Sequence, residues 1–130
     1  MRVLLVDDDE AGRELLAGFM EEHLGHNVTQ CPDGNSALEE YNRKPYPLVV
    51  TDIRMPGMNG VKLLKEIRST PGGQATDVVL ITAYDENSTI SEAFRQGAFE
   101  YMIKPIRLRE FEDVIQRVVD HQHKSGPQDG

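Results

Sequence analysis

The chain has 130 residues, 38% of them hydrophobic, which suits one domain with a core of its own and leaves no room for a second. Its formal net charge of -8, from Asp+Glu 22 against Lys+Arg 14, argues against the clustered basic face that nucleic-acid binding needs, so any DNA contact must come from elsewhere. A single cysteine, Cys31, excludes an internal disulfide, and no run has the length of a membrane span or the layout of a signal peptide, so a reducing cytoplasm is the expected location.

Arg2 to Val6 is a short apolar run that reads as a strand covered on both faces. Asp7-Asp8-Asp9-Glu10 ends it and starts a helix closing near Gly25, with Ala11, Leu15, Leu16, Phe19 and Met20 as its apolar stripe. Asn27 to Cys31 suggests a second strand, with Cys31 as a small buried residue at its end. Asp33-Gly34 then makes a turn, and Ser36 to Arg43 a helix anchored by Ala37, Leu38 and Tyr41. Leu48 to Thr51 is a third strand, and Pro56 and the glycines of Met55 to Gly60 forbid its continuation, which leaves Asp52 at its carboxyl end.

Val61, Leu64 and Ile67 mark a third helix, ended by a flexible connection at Thr70-Pro71-Gly72-Gly73. Val78 to Thr82 is the fourth strand. A thinly apolar fourth helix follows on Ile90, Ala93 and Phe94, loosely held and capped by Gly97. Glu100 to Ile103 is the fifth strand, ended by Lys104-Pro105, and Leu108, Phe111, Val114, Ile115, Val118 and Val119 form the best apolar stripe of the chain. These elements place one domain over residues 1–123 and leave Lys124 to Gly130 as a tail, linker remnant or expression scar. His23, His26, His121 and His123 lack convincing metal-ligand spacing and are given no function.

Five strands alternating with five helices imply an α/β fold with a parallel sheet and helices on both faces. In the flavodoxin-like, doubly wound order 2-1-3-4-5, the first and third strands are neighbours and Asp7, Asp8 and Asp52 converge. Three carboxylates at one edge repel one another unless a cation sits among them, and an all-oxygen set suits Mg²⁺ or Mn²⁺ better than zinc. Thr82, the N–H of Ala83 and Lys104 fall at the same edge. A metal, a lysine and hydrogen-bond donors around a carboxylate are what phosphoryl transfer requires, with Asp52 as the nucleophile.

Val6-Asp7-Asp8-Asp9, Thr51-Asp52-Ile53-Arg54-Met55-Pro56-Gly57-Met58-Asn59-Gly60, Ile81-Thr82-Ala83 and Tyr101-Met102-Ile103-Lys104-Pro105 resemble the signatures of the CheY-like receiver domain of bacterial two-component response regulators. The resemblance runs from Arg2 to about His123. It implies that Asp52 accepts a phosphoryl group from a sensor histidine kinase or phosphotransfer protein, and that Asp7, Asp8, Asp52 and the backbone carbonyl of Arg54 hold Mg²⁺. It implies that Lys104, Thr82 and Ala83 contact the phosphoryl group. Thr82 and Tyr101 would then be a switch pair, coupled to the face made by the fourth helix, fifth strand and fifth helix. That face would control an output domain or downstream protein, and a homodimer through it is among the arrangements the resemblance allows. A cis bond at Lys104-Pro105 is also implied.

Two other classes compete. Asp7-x-Asp9 after the first strand is similar to a haloacid dehalogenase-like Mg²⁺-dependent phosphohydrolase, with Asp7 as nucleophile, but the chain lacks a cap domain and a later acidic pair. A pseudo-receiver that binds partners without phosphorylation would normally have lost a site residue, and all five are present. Tyr84 and Arg54 are large side chains two residues beyond Thr82 and Asp52, where they would hinder the water that hydrolyses an aspartyl phosphate. Tyr84→Ala is therefore expected to speed dephosphorylation, and a rate that is unchanged or slower overturns that role.

Overall fold

In the computed structural model, which describes residues 1–83 and 87–125, five parallel strands lie in the order β2-β1-β3-β4-β5. They are β1 (Arg2–Val6), β2 (Asn27–Cys31), β3 (Leu48–Asp52), β4 (Asp77–Thr82) and β5 (Glu100–Ile103). The helices are α1 (Glu10–Gly18), α2 (Gly34–Arg43), α3 (Gly60–Arg68), α4 (Asn87–Arg95) and α5 (Leu108–Ser125). The expected α/β order 2-1-3-4-5 is therefore the observed one, and the first, second and fifth strands keep their expected bounds.

Alternation along the strands divides the core in two. Val3, Leu5, Val50, Val79, Ile81 and Met102 pack against Leu16 and Ala17 of α1 and Phe111, Val114, Ile115 and Val118 of α5. Leu4, Val6, Val49, Val78 and Leu80 face the other way, against Ala37 and Tyr41 of α2, Leu63, Leu64 and Ile67 of α3 and Ala93 of α4. β3 and β4 are buried along their whole length, which is why they read as continuous apolar runs rather than alternating ones. Among the described residues, no buried side-chain nitrogen or oxygen lacks a hydrogen-bond partner.

Three local expectations need correction. The buried stripe of α1 is Leu16, Ala17 and Met20, whereas Ala11 is exposed and Leu15 is 61% exposed. The helix also widens into a π turn at Phe19–His23, with the Leu24 N–H donating to Phe19 O (3.3 Å), and this rotates the later residues relative to regular helical spacing. Phe94 is 42% exposed, so the buried contacts of α4 come from Ile90 and Ala93. Helix α5 runs through Ser125, and residues 126–130 lie outside the described residues.

The third correction concerns the connection after α3, which is pinned rather than loose. The Arg68 guanidinium donates to Gly73 O (2.6 Å), Thr76 O (2.7 Å), Gln96 O (2.9 Å) and Gly97 O (2.9 Å). One side chain thus joins the segment entering β4 to the segment leaving α4. At the far end of the sheet from Asp52, His121 Nδ1 and Gln122 Nε2 meet Asp77 Oδ2 at 2.9 and 2.6 Å and fix the last turns of α5. Arg68→Ala is expected to lower the unfolding free energy by about 2–4 kcal/mol in a denaturant titration, with little recovery in Arg68→Lys, because one ammonium cannot serve carbonyls on two segments. A loss below about 1 kcal/mol would mean that water replaces the guanidinium without cost.

Candidate functional site

Register builds the site. Val6 pairs with Thr51 across β1 and β3, so Asp7 follows beside Asp52. Asp52 pairs with Ile81, the residue before Thr82, and Thr82 pairs with Ile103, the residue before Lys104. Asp7, Asp52, Thr82 and Lys104 therefore leave the same edge of the sheet, although they are separated by up to 97 positions in the chain. The ladder also continues past β5, where the Lys104 N–H donates to Thr82 O (2.7 Å) and the next bond, Lys104–Pro105, is cis.

Lys104 Nζ donates to Asp7 Oδ2 (3.0 Å) and Asp52 Oδ2 (2.9 Å). The two carboxylates are 1% and 6% exposed as residues, while Asp8 is exposed. Asp7 Oδ1 accepts the Asp9 N–H (2.9 Å), and Asp52 Oδ1 accepts the Arg54 N–H (3.3 Å). Burial pushes the Asp52 carboxyl above the ordinary carboxylate range and the nearby Asp7 charge acts in the same sense, against the hydrogen bonds and charge of Lys104. For Lys104, burial acts downward, but the hydrogen bonds to Asp52 and Asp7 and their charges outweigh it and hold the ammonium above its usual range.

The loop behind Asp52 explains two residues. A Cβ on Gly60 would collide with Asp52 O, so only glycine lets the start of α3 back onto the end of β3. Asn59 caps that helix through Oδ1, which accepts the Lys62 N–H (2.9 Å).

Oxygens of Asp7, Asp8 and Asp52 lie within 4.8 Å of one another. With all three ionised, one ammonium leaves two negative charges uncompensated, and an oxygen-only donor set with one solvent-facing member fits a hydrated Mg²⁺ or Mn²⁺. The hydroxyl of Thr82 is buried at the same edge and Ala83 is exposed beside it. Thr82 shares the sheet face of Leu80, two residues earlier, and Leu80 pairs with Tyr101. The half-buried Tyr101 packs against that core and meets the exposed Phe94 ring edge-on (5.8 Å, 75°). The structure thus brings together Asp7, Asp8, Asp52 and Lys104, with Thr82 and Ala83 adjoining and Tyr101 one strand away. Tyr84 lies outside the described residues.

Sequence reading gave Arg13 no role. Its Nη1 donates to Asp7 O (2.8 Å) and its Nε to Gln30 Oε1 (3.0 Å). Its position one turn after the acidic run is the only signal that could have pointed to it.

The response regulator receiver domain family model matches residues 3–116. The chain belongs to that family. The receiver is similar to Regulatory protein AtoC of Escherichia coli K12, at 41% identity over 93% of this chain, and spans 26% of that protein's length. Among solved structures it is similar to a CheY-like receiver domain protein from Methanospirillum hungatei (TM-score 0.87, 27% identity, 96% of this chain and 98% of that one). It also matches the receiver domain of NtrX from Brucella abortus (TM-score 0.81, 31% identity, 91% and 98%). Receiver domains are phosphorylation-dependent signalling switches, and they bind Mg²⁺ through an acidic pocket such as the one formed here. Among the described residues, no helix is long and apolar enough to cross a membrane.

A carboxyl whose folded pKa is raised contributes stability below its unfolded value and loses that contribution as the pH climbs through the folded one. With divalent cations chelated, Asp52→Asn should therefore melt a few degrees above the wild type at pH 7, and the gap should close toward pH 4. A variant that melts lower at pH 7 would mean that ionised Asp52 is net stabilising through Lys104.

Proposed function

We propose that Asp52 of this receiver is the phosphoacceptor, and that Lys104, Thr82 and Ala83 hold the transferred group. The observation that carries the reading is the Lys104 ammonium shared between the buried carboxylates of Asp7 and Asp52, with Asp8 beside them on the solvent side. Both carboxylates are engaged at both oxygens, and Asp52 is the more exposed of the two. Asp7 is the less accessible, 1% exposed against 6% for Asp52, which disfavours the phosphohydrolase alternative with Asp7 as nucleophile.

In this mechanism an Asp52 oxygen attacks phosphorus in line as the N–P bond of a donor phosphohistidine breaks, and the imidazole nitrogen leaves with the electron pair. Asp7, Asp8, Asp52 and the carbonyl of Arg54 would hold Mg²⁺ or Mn²⁺, which would neutralise charge on the phosphoryl oxygens. Lys104 exchanges its contact with Asp52 for one to a phosphoryl oxygen, and the Thr82 hydroxyl and Ala83 N–H donate to the remaining oxygens. Drawing Thr82 toward the phosphoryl group alters the space behind it on the face it shares with Tyr101, so the Tyr101–Phe94 contact shifts its population.

The donor is a sensor histidine kinase or a phosphotransfer protein. The readout is an output domain or downstream protein that recognises the α4–β5–α5 face, where Phe94 and Ile103 are exposed. A homodimer through the same face is the second use of that surface. The regulatory name of AtoC, only about a quarter of which this chain spans, supports an output with a regulatory role. The receiver unit covers residues 1–123, and it works in the cytoplasm without direct contact to nucleic acid or membrane. Its own chemistry is limited to accepting and hydrolysing the phosphoryl group.

Intact mass after incubation with Mg²⁺ and acetyl phosphate tests the acceptor. One phosphoryl adduct that requires Mg²⁺ and is absent from Asp52→Asn is the expected result. An adduct that survives that substitution would move the acceptor to Asp7, and no adduct in the wild type would favour a module that works without phosphorylation.

A further inference from the structure

Asp7 is held at every polar atom. Its N–H continues the β1–β2 ladder to Cys31 O (3.2 Å), Oδ1 accepts the Asp9 N–H, Oδ2 accepts Lys104 Nζ, and its carbonyl oxygen accepts Arg13 Nη1 (2.8 Å). The last of these bonds differs from the others in what it controls. The Asp7 carbonyl and the Asp8 N–H belong to one planar peptide unit, so fixing the oxygen fixes where the Asp8 backbone begins and hence where its carboxylate is carried. Asp8 is the exposed member of the acidic trio.

Arg13 is itself braced at both ends. Its N–H donates to Asp9 O (2.9 Å) in the first turn of α1, and Nε donates to Gln30 Oε1 on the edge strand β2 (3.0 Å). The planar guanidinium therefore spans β2 and the acidic loop, a geometry that a lysine ammonium, as a single point donor, cannot reproduce. We infer that Arg13 is a positioning residue for divalent-cation binding: through the Asp7 carbonyl it holds Asp8 in register with Asp7 and Asp52. The inference rests on the reading of that trio as the cation site.

Charge and position predict opposite signs here. A guanidinium next to an acidic site repels an incoming cation, so if Arg13 acted only through its charge, removing it would tighten Mg²⁺ binding. If it acts by holding the loop, removing it weakens binding, in the way that partners behind metal ligands generally do, by about 10-fold or more.

The test is a Mg²⁺ titration of the full 130-residue chain followed by amide NMR, with the Mg²⁺-induced rise in melting temperature as a second readout. Arg13→Ala should raise the Mg²⁺ dissociation constant about 10-fold. Arg13→Lys should recover only part of the loss, and Gln30→Ala, an exposed change that leaves the fold intact, should weaken binding about 2- to 3-fold in the same direction. The fall in acetyl phosphate labelling of Arg13→Ala at low Mg²⁺ should be made up by raising Mg²⁺, as a change in apparent KM rather than kcat. Equal or tighter Mg²⁺ binding in Arg13→Ala and Gln30→Ala, beside a wild type that binds, overturns the role of Arg13. A wild type that binds no Mg²⁺ overturns the reading of the cation site itself, and this inference with it.

Discussion

The lysine that leaves β5 and reaches the carboxylates of β1 and β3 is the interaction on which the rest depends. Lys104 lies 3.0 Å from Asp7 and 2.9 Å from Asp52, and each of the three residues extends from the end of a different strand. Nothing local brings them together. A one-residue slip in any of the three intervening ladders would send a side chain to the opposite face and break the arrangement, so the chemistry inherits its geometry from strand register. That register is in turn imposed by the two apolar layers, since β3 and β4 are buried on both faces and tolerate no shift.

The cost of the arrangement lies in the same contacts. Burial and the proximity of Asp7 work against the ionised form of Asp52, and Lys104 compensates only in part. A site that is electrostatically unsatisfied when empty responds strongly to whatever fills it, because any ligand that prefers the folded state stabilises it by mass action. The hydrophobic layers supply the stability that lets the acidic edge remain strained in this sense. The fold is thus divided between a core that sets register and an edge left with negative charge to spare.

Much of this was legible in the sequence. Short runs of strand-forming residues located all five strands, four of them stopped by Asp, Pro or Lys104-Pro105, and the placement of Asp7, Asp52, Thr82 and Lys104 at their ends followed from those bounds. What could not be read were interactions with no periodic or compositional trace. Leu15 looks like core by spacing, yet Leu16 and Ala17 take the buried face of α1 and leave it in solvent. Arg13 and Arg68 look like ordinary charges on helix surfaces, but both donate to backbone carbonyls of segments distant in the chain, and a carbonyl carries no mark in the sequence. The acidic residue at Asp77 likewise gives no hint that His121 and Gln122 will close on it.

These backbone-directed contacts also bear on how a local event could be read at a distance. Helix α4 buries little beyond Ile90 and Ala93, so its packing alone does not fix it firmly. Its carboxyl end is nevertheless tied, by Arg68 to Gln96 and Gly97 and by Lys65 Nζ to Glu92 (3.6 Å). At the start of α4, Asn87 and Ser88 are exposed and Thr89 is half-buried, a polar turn that contributes no buried apolar anchor. Among the described residues the ties of α4 lie at its carboxyl end, so its cheapest motion is about that end. Because Phe94 sits close to that end and touches Tyr101, a small rotation there changes which aromatic surface faces solvent without disturbing the register that positions Asp52. The division of labour is therefore spatial: the sheet holds the chemistry still, and α4 is the element free enough to report it.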